Sequence, residues 1–324
     1  MNRKLVSSDK DDIPIVLCSD DNYATHLGVM FVSLLENTTN PERIHFFIID
    51  GGISEQKKAT LTHEIRTRYS QITFIEINKE NYSIFPTSDY ITSAAYYRLS
   101  ISDLLDVNIE KVIYLDCDVI VKKDIQVLWE IDLEDYPVAA VENIANSTYK
   151  ASKLQQSDFC NTGVMVINLK KWRNENISKQ VVTYIVENPE LICSFDQCAL
   201  NGVFKGNWKR LPLTWNFQSG MYRNTKQVIR LIKEQTDRAI WDPAIIHYIG
   251  WSKPWIDPCF HPLEGEYRRY KSKSGFKDIT ISKVTPSAAN KGTTIATFFS
   301  LIKKRLRKHL WQYRYLKKEY ALFR

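Results

Sequence analysis

The chain has 324 residues, 44% of them hydrophobic and 25% charged, a globular composition long enough for one large α/β domain with an appendage. Its formal charge of +7 is concentrated at one end: 301–324 carries nine Lys or Arg and one Glu, leaving 35 basic and 36 acidic residues in a nearly neutral body. No apolar run of about 18 residues occurs, and the N-terminal stretch is acidic before its first apolar segment; this argues against a membrane span or secretory leader and sets the expectation of a cytoplasmic protein.

In chain order, "IPIVLCSD" (13–20), "IHFFIID" (44–50), "TFIEI" (73–77), "KVIYLD" (111–116) and "GVMVINL" (163–169) are short β-rich runs, mostly too apolar for one-sided strands, and they predict central strands of a covered sheet. Between them, Leu27, Met30, Phe31, Leu34 and Leu35 recur at helical spacing, as do Leu61, Ile65 and Tyr69 behind a candidate N-cap at Ser54. This alternation predicts a mostly parallel, doubly wound α/β sheet that binds ligands at the carboxyl ends of its strands. The polar stretch 271–294 reads as a linker. Six cysteines lie scattered in apolar segments without a Cys-x-x-Cys pair, which fits reduced core thiols better than zinc or disulfides.

The strand ends carry the chemistry. Asp20, Asp21 and Asn22 stand where a nucleotide would sit, but without a Gly-x-Gly-x-x-Gly turn, so a dinucleotide-binding dehydrogenase is not expected. Taken alone, Asp20 and Asp21 also read as an N-cap and its neighbour. Asp116 and Asp118 would share one face of an extended chain and repel each other unless a cation joined them. A calcium loop is excluded because Ile120 and Lys122 follow where further oxygen ligands are needed. A phosphatase of haloacid-dehalogenase type, a plain surface turn, and a divalent metal bridging the pair to a substrate diphosphate remain open.

Six ordered blocks favour the last. "CSDDNYATHLGVMFVSLLENT", "AAYYRLSISDLL", "KVIYLDCDVIVKKDIQVLWEIDL", "CNTGVMVINLKKWR", "SFDQCALNGVFKGNWKRLPLTWNFQ" and "IIHYIGWSKPW" together resemble glycosyltransferase family 8, over about residues 13–262. The similarity points toward bacterial α-galactosyl- and α-glucosyltransferases of lipopolysaccharide or lipooligosaccharide synthesis. It implies the A-type glycosyltransferase fold, a catalytic domain over 1–262, a UDP-galactose or UDP-glucose donor, Mn²⁺ (with Mg²⁺ as a substitute), and transfer with retention to a saccharide acceptor. The alternative acceptor is a glycan or glycoprotein outside lipopolysaccharide.

Carried over residue by residue, the resemblance makes Asp116, Asp118 and His247 the metal ligands. Asp20, Asp21, Asn22 and Tyr23 would hold uracil and ribose, and Cys117 lies between the acids in the donor site. Arg98 would meet the donor sugar or diphosphate, while Gly250 would permit close backbone approach and Lys253 would meet the diphosphate. Asn161, Asp196 and Gln197 would surround the hexosyl ring. At "AAVEN" the chain departs from the family pattern, placing Asn143 or Glu142 where an acid commonly touches the sugar. Because Gln197 offers only a neutral amide oxygen, same-face attack by the acceptor hydroxyl, with a donor phosphate oxygen taking the proton, is favoured; double displacement through Asp196 or Gln197 stays open.

Segment 263–324 is expected to be a linker and a basic helical tail. Ile302, Leu306, Leu310, Tyr313, Leu316 and Tyr320 recur every three or four residues with Lys and Arg on the other faces, as in a helix lying on an anionic membrane surface. That would hold the enzyme peripherally at the inner face of the cytoplasmic membrane, beside a lipid-linked acceptor. The neutral body carries no interleaved basic and aromatic face, so no nucleic-acid partner is expected.

Overall fold

The structure is a computed structural model that describes residues 9, 11–82, 85, 93–144, 154–192, 195–222, 233–250, 253–257, 259, 261–280 and 282–283. β1 (Ile13–Ser19), α1 (Asp21–Glu36), β2 (Ile44–Asp50), α2 (Glu55–Arg66) and β3 (Gln71–Glu76) open the chain as two successive crossovers. A 3₁₀ segment (Ser93–Ser100), α3 (Ile101–Leu104), β4 (Lys111–Leu115), β5 (Val119–Val121), α4 (Ile125–Trp129), β6 (Val138–Glu142) and β7 (Cys160–Asn168) follow. The last part holds α5 (Leu169–Asn174), α6 (Ile177–Glu187), α7 (Phe195–Phe204), β8 (Lys209–Arg210), β9 (Phe217–Gln218), α8 (Lys233–Trp241), β10 (Ile245–His247), β11 (Ile256–Asp257), α9 (Glu264–Lys271) and β12 (Ser282–Lys283).

The main sheet has seven strands in the order β3-β2-β1-β4-β7-β6-β8. It is parallel from β3 to β4 and again between β6 and β8, and antiparallel on both sides of β7. The strand order reverses between β1 and β4, which opens a crevice at their carboxyl ends where α/β proteins bind ligands. Alternation along the strands fills two cores. Ile13, Ile15, Leu17, Ile113 and Leu115 pack on one face with α1, while Val16, Val112, Tyr114, Met165 and Ile167 pack on the other with Trp172 and Trp208. Each large apolar side chain so buried contributes about 1.5–3 kcal/mol, which explains why these runs form strands covered on both faces.

Helix α1 starts where expected. Asp20 is its N-cap, the carboxylate accepting from the Tyr23 N–H at 3.1 Å. Ser54 caps α2 by position only, since its side chain makes no cap bond. Tyr69 does not extend the buried stripe of α2: the helix ends at Arg66, and Tyr69 lies beyond it at φ +64°, 80% exposed. Helical spacing had continued through a residue whose backbone had already left the helix.

A second, three-stranded sheet, β5-β10-β9, was not foreseen because its strands are too short to show a period. Its register sets His247 opposite Val119 in the antiparallel pair and beside Gln218 in the parallel one. Packed structure also continues past residue 262. Tyr267, Tyr270 and Phe276 join the α1 core cluster, the Gly275 N–H donates to Glu64 at 2.6 Å, and β12 pairs with β11. The first part of the expected linker is therefore docked on α1 and α2 by its aromatic side chains. The basic stripe from Ile302 to Tyr320 lies outside the described residues.

Candidate active site

The acids at the end of β4 do not continue an extended chain. Asp116, Cys117 and Asp118 form the turn between β4 of the main sheet and β5 of the small one. The two carboxylates converge because the chain changes sheet there, and the β5–β10 register then delivers His247. One ligand atom each of Asp116, Asp118 and His247 lie within 4.8 Å of one another. His247 Nε2 is 3.2 Å from Asp118 Oδ1 and 3.8 Å from Asp116 Oδ2. Two carboxylates and a buried imidazole make a mixed oxygen and nitrogen donor set that fits a divalent metal. Gly163 makes room for it, since a Cβ there would lie 2.6 Å from Asp116 Oδ2 and closer still to His247 Cε1.

Arg98 sits behind the acids. It is buried, 5% exposed. Its Nη2 donates to Asp116 Oδ1 and its Nη1 to the Thr162 carbonyl oxygen, at 2.9 and 2.8 Å, while the guanidinium stacks 4.3 Å from the Tyr114 ring centre. Arg98 Nε is 2.9 Å from Asp196 Oδ2 but off the N–H line, which makes that contact ionic. The Asp196 carboxyl is pushed up to about 6 by burial, with Arg98 pulling the other way. Burial likewise raises the Asp118 carboxyl, but Lys253 and His247 overcome it and hold the group well below the ordinary carboxylate range.

The other expected residues separate into two groups. Asn161 on β7 accepts from the Gly163 N–H at 3.1 Å, and Gln197 Oε1 accepts from the Thr162 N–H at 3.2 Å, so both are held on the β7 backbone at Thr162 and Gly163. Asn143 Oδ1 is 3.5 Å from Asn161 Nδ2, so Asn143 meets Asn161 on this face. Lys253 donates to Asp118 and to the Tyr248 carbonyl oxygen. Gly250 precedes it at φ +79°, a left-handed conformation that glycine adopts freely, with nothing within 4 Å of where a Cβ would lie.

Asp20, Asn22 and Tyr23 sit at the carboxyl end of β1 across the crevice, Asn22 exposed and Tyr23 edge-on to Trp255 with ring centres 6.0 Å apart. Asp21 faces elsewhere. Its carboxylate accepts from Lys57 Nζ at 2.8 Å and from the Ser54 N–H at 2.9 Å, and the Lys57 hydrogen bond chiefly lowers it to about 2. Cys117 is buried with its thiol donating to the Cys18 carbonyl oxygen at 3.2 Å, and burial raises it well above the ordinary thiol range.

Sequence reasoning passed over Tyr114, Thr162, Gly163 and Asn216, although all stand inside the quoted blocks. Their side chains carry no charge and suggest no metal ligand. Only the contact between β4, β7 and β10 shows what they touch.

Comparison with known proteins agrees with this geometry. General stress protein A of Bacillus subtilis (strain 168) is 38% identical over 278 residues, covering 83% of this chain and 97% of the relative. Lipopolysaccharide 1,2-glucosyltransferase of Escherichia coli (strain K12) is 28% identical over 80% of this chain and 77% of its own. A crystal structure of galactosyltransferase LgtC in complex with donor and acceptor sugar analogues superposes with a TM-score of 0.72 at 28% identity, over 81% of this chain and 96% of that one, and shares its A-type glycosyltransferase fold. The phosphatase alternative finds no support, because the chain has the A-type glycosyltransferase fold and the Asp-x-Asp turn is joined by His247. The description "Glycosyl transferase family 8" matches residues 14–259, and the chain belongs to that family.

Proposed function

We propose that the protein is a retaining hexosyltransferase that moves galactose or glucose from a UDP-sugar to a saccharide acceptor of the lipopolysaccharide type, with Mn²⁺ as its metal. The observation that carries this reading is the convergence of Asp116, Asp118 and His247 beside the Arg98–Asp196 pair in a family 8 chain. The names of the E. coli glucosyltransferase and of a Salmonella typhimurium lipopolysaccharide 1,3-galactosyltransferase, 27% identical, support the acceptor class. The second acceptor class is a glycan or glycoprotein outside lipopolysaccharide.

Asp116, Asp118 and His247 would hold the metal, which supplies positive charge to the departing diphosphate. Around it the chain places three buried or half-buried acids, Asp116, Asp118 and Asp196, against two cations, Arg98 and Lys253, so the protein alone is one positive charge short of balance. A divalent ion reverses that sign and suits a diphosphate. Lys253 is tethered where it can follow the leaving group, and Arg98 keeps Asp116 and Asp196 apart and oriented. Gln197 turns its amide oxygen onto the Thr162 N–H, which supports same-face attack over a displacement through that oxygen.

The test is a turnover screen with UDP-galactose, UDP-glucose and UDP-N-acetyl sugars, with Mn²⁺ and with EDTA. One hexose donor should turn over only with metal, Asp118→Asn should lose at least about 100-fold in rate, and NMR should show an α-linked product. A β-linked product, or full activity in EDTA, overturns the reading.

A further inference from the structure

We propose that Asn216 is a positioning residue that sets the tautomer of His247 and links this metal ligand to the sugar-facing amide of Asn161. The inference rests on the reading of Asp116, Asp118 and His247 as metal ligands. Asn216 is fully buried, at 0% exposure, and ends the 3₁₀ turn Leu213–Asn216 immediately before β9. β9 runs parallel to β10 with Gln218 paired to His247, and Asn216, two residues before Gln218, reaches the imidazole through its side chain.

Donor and acceptor chemistry leaves one consistent arrangement. The Gly163 N–H can only donate, so the Asn161 atom 3.1 Å from it is the carbonyl oxygen. The same oxygen lies 2.8 Å from Asn216, which must therefore present its NH₂ there and its own oxygen on the other side. That oxygen is 3.0 Å from His247 Nδ1, so Nδ1 carries the proton. In the neutral ring Nε2 then keeps its lone pair, 3.2 Å from Asp118 Oδ1 and 3.8 Å from Asp116 Oδ2, aimed where a metal would be bound. A backbone N–H on β7 thus determines, through two side-chain amides, which imidazole nitrogen faces the acids. The Asn161 amide nitrogen is turned by the same chain toward Asn143 Oδ1, 3.5 Å away.

The experiment starts with metal-free, ¹⁵N-labelled protein at alkaline pH, where histidine is neutral. The His247 ring signals are assigned by their loss in His247→Asn. The expected result is the Nδ1–H tautomer in the wild type and in Asn216→Asp, whose carboxylate still accepts that proton. Asn216→Leu should show mixed tautomers and bind Mn²⁺ about 10–100-fold more weakly by electron paramagnetic resonance titration, with an unchanged circular dichroism spectrum. An Nε2–H tautomer in the wild type overturns the proposal. So does a folded Asn216→Leu protein with Mn²⁺ affinity within about twofold of wild type. If the Leu variant does not fold, the wild-type tautomer and the Asp variant decide. An Nδ1–H wild type that binds no Mn²⁺ supports the amide relay and overturns the metal reading instead.

Discussion

Lys253 donates to the carboxylate of Asp118 and, at 2.7 Å, to the Tyr248 carbonyl oxygen, so the cation proposed to meet the diphosphate rests on a proposed metal ligand. One carboxylate cannot serve a lysine and a divalent ion equally well. Lys253→Met should therefore bind Mn²⁺ more tightly in the absence of donor, by about 3–10-fold, and raise the KM for the UDP-sugar by about 10–100-fold. Calorimetry of metal binding and steady-state kinetics read the two effects separately. An unchanged KM would remove Lys253 from diphosphate binding.

Gly163→Ala tests the packing at the same centre. Its methyl would collide with His247 and with Asp116 Oδ2, both held in place by other contacts. The expected cost is about 1–3 kcal/mol of stability, together with loss of Mn²⁺ affinity. Chemical denaturation with and without Mn²⁺ measures both, and a variant as stable and as metal-responsive as wild type contradicts the crowding seen here.

Asp196 gives a pH signature. Its carboxyl is raised from 3.8 to about 6 by burial, so the folded state holds the proton more tightly than the unfolded chain. Stability from this group is fully present below 3.8 and is lost as pH rises to about 6. Wild type compared with Asp196→Asn should lose on the order of 3 kcal/mol between those limits and stay level above them. Denaturant midpoints of both proteins across that range check the sign, and a difference that grows with pH would reverse the assignment.

The basic tail calls for a different measurement. Deleting residues from Leu301 onward should abolish co-sedimentation with anionic liposomes while leaving donor hydrolysis within about twofold, since each Lys or Arg near such a surface adds about 1 kcal/mol of attraction. Among the described residues no helix is long and apolar enough to cross a membrane. A full-length protein that ignores liposomes and a truncated one that cannot fold would assign the tail to the core.

Period and composition were sufficient for β1, β2, β3, β4 and β7 of the main sheet. The runs at 13–20, 44–50 and 111–116 are apolar at consecutive positions, and burial on both faces of a covered sheet is the only stable place for them. Asp116, Asp118 and His247 were legible as candidate ligands because the ordered blocks resemble a known family, and their side chains carry charge or a metal-binding nitrogen. What the sequence could not contain is the convergence itself. His247 meets Asp118 through the register of two three-residue strands, too short to leave a periodic trace. Gly163 and Asn216 act by making space and by orienting a proton, properties that exist only when β4, β7, β9 and β10 are in contact. Asp21 shows the converse: an acid beside the expected donor site is drawn away because Lys57 and the Ser54 N–H lie nearer in space than any strand-end motif can indicate. Charge and pattern specify the chemistry available locally, while hydrogen-bond partners are chosen by distance, which only the folded chain sets.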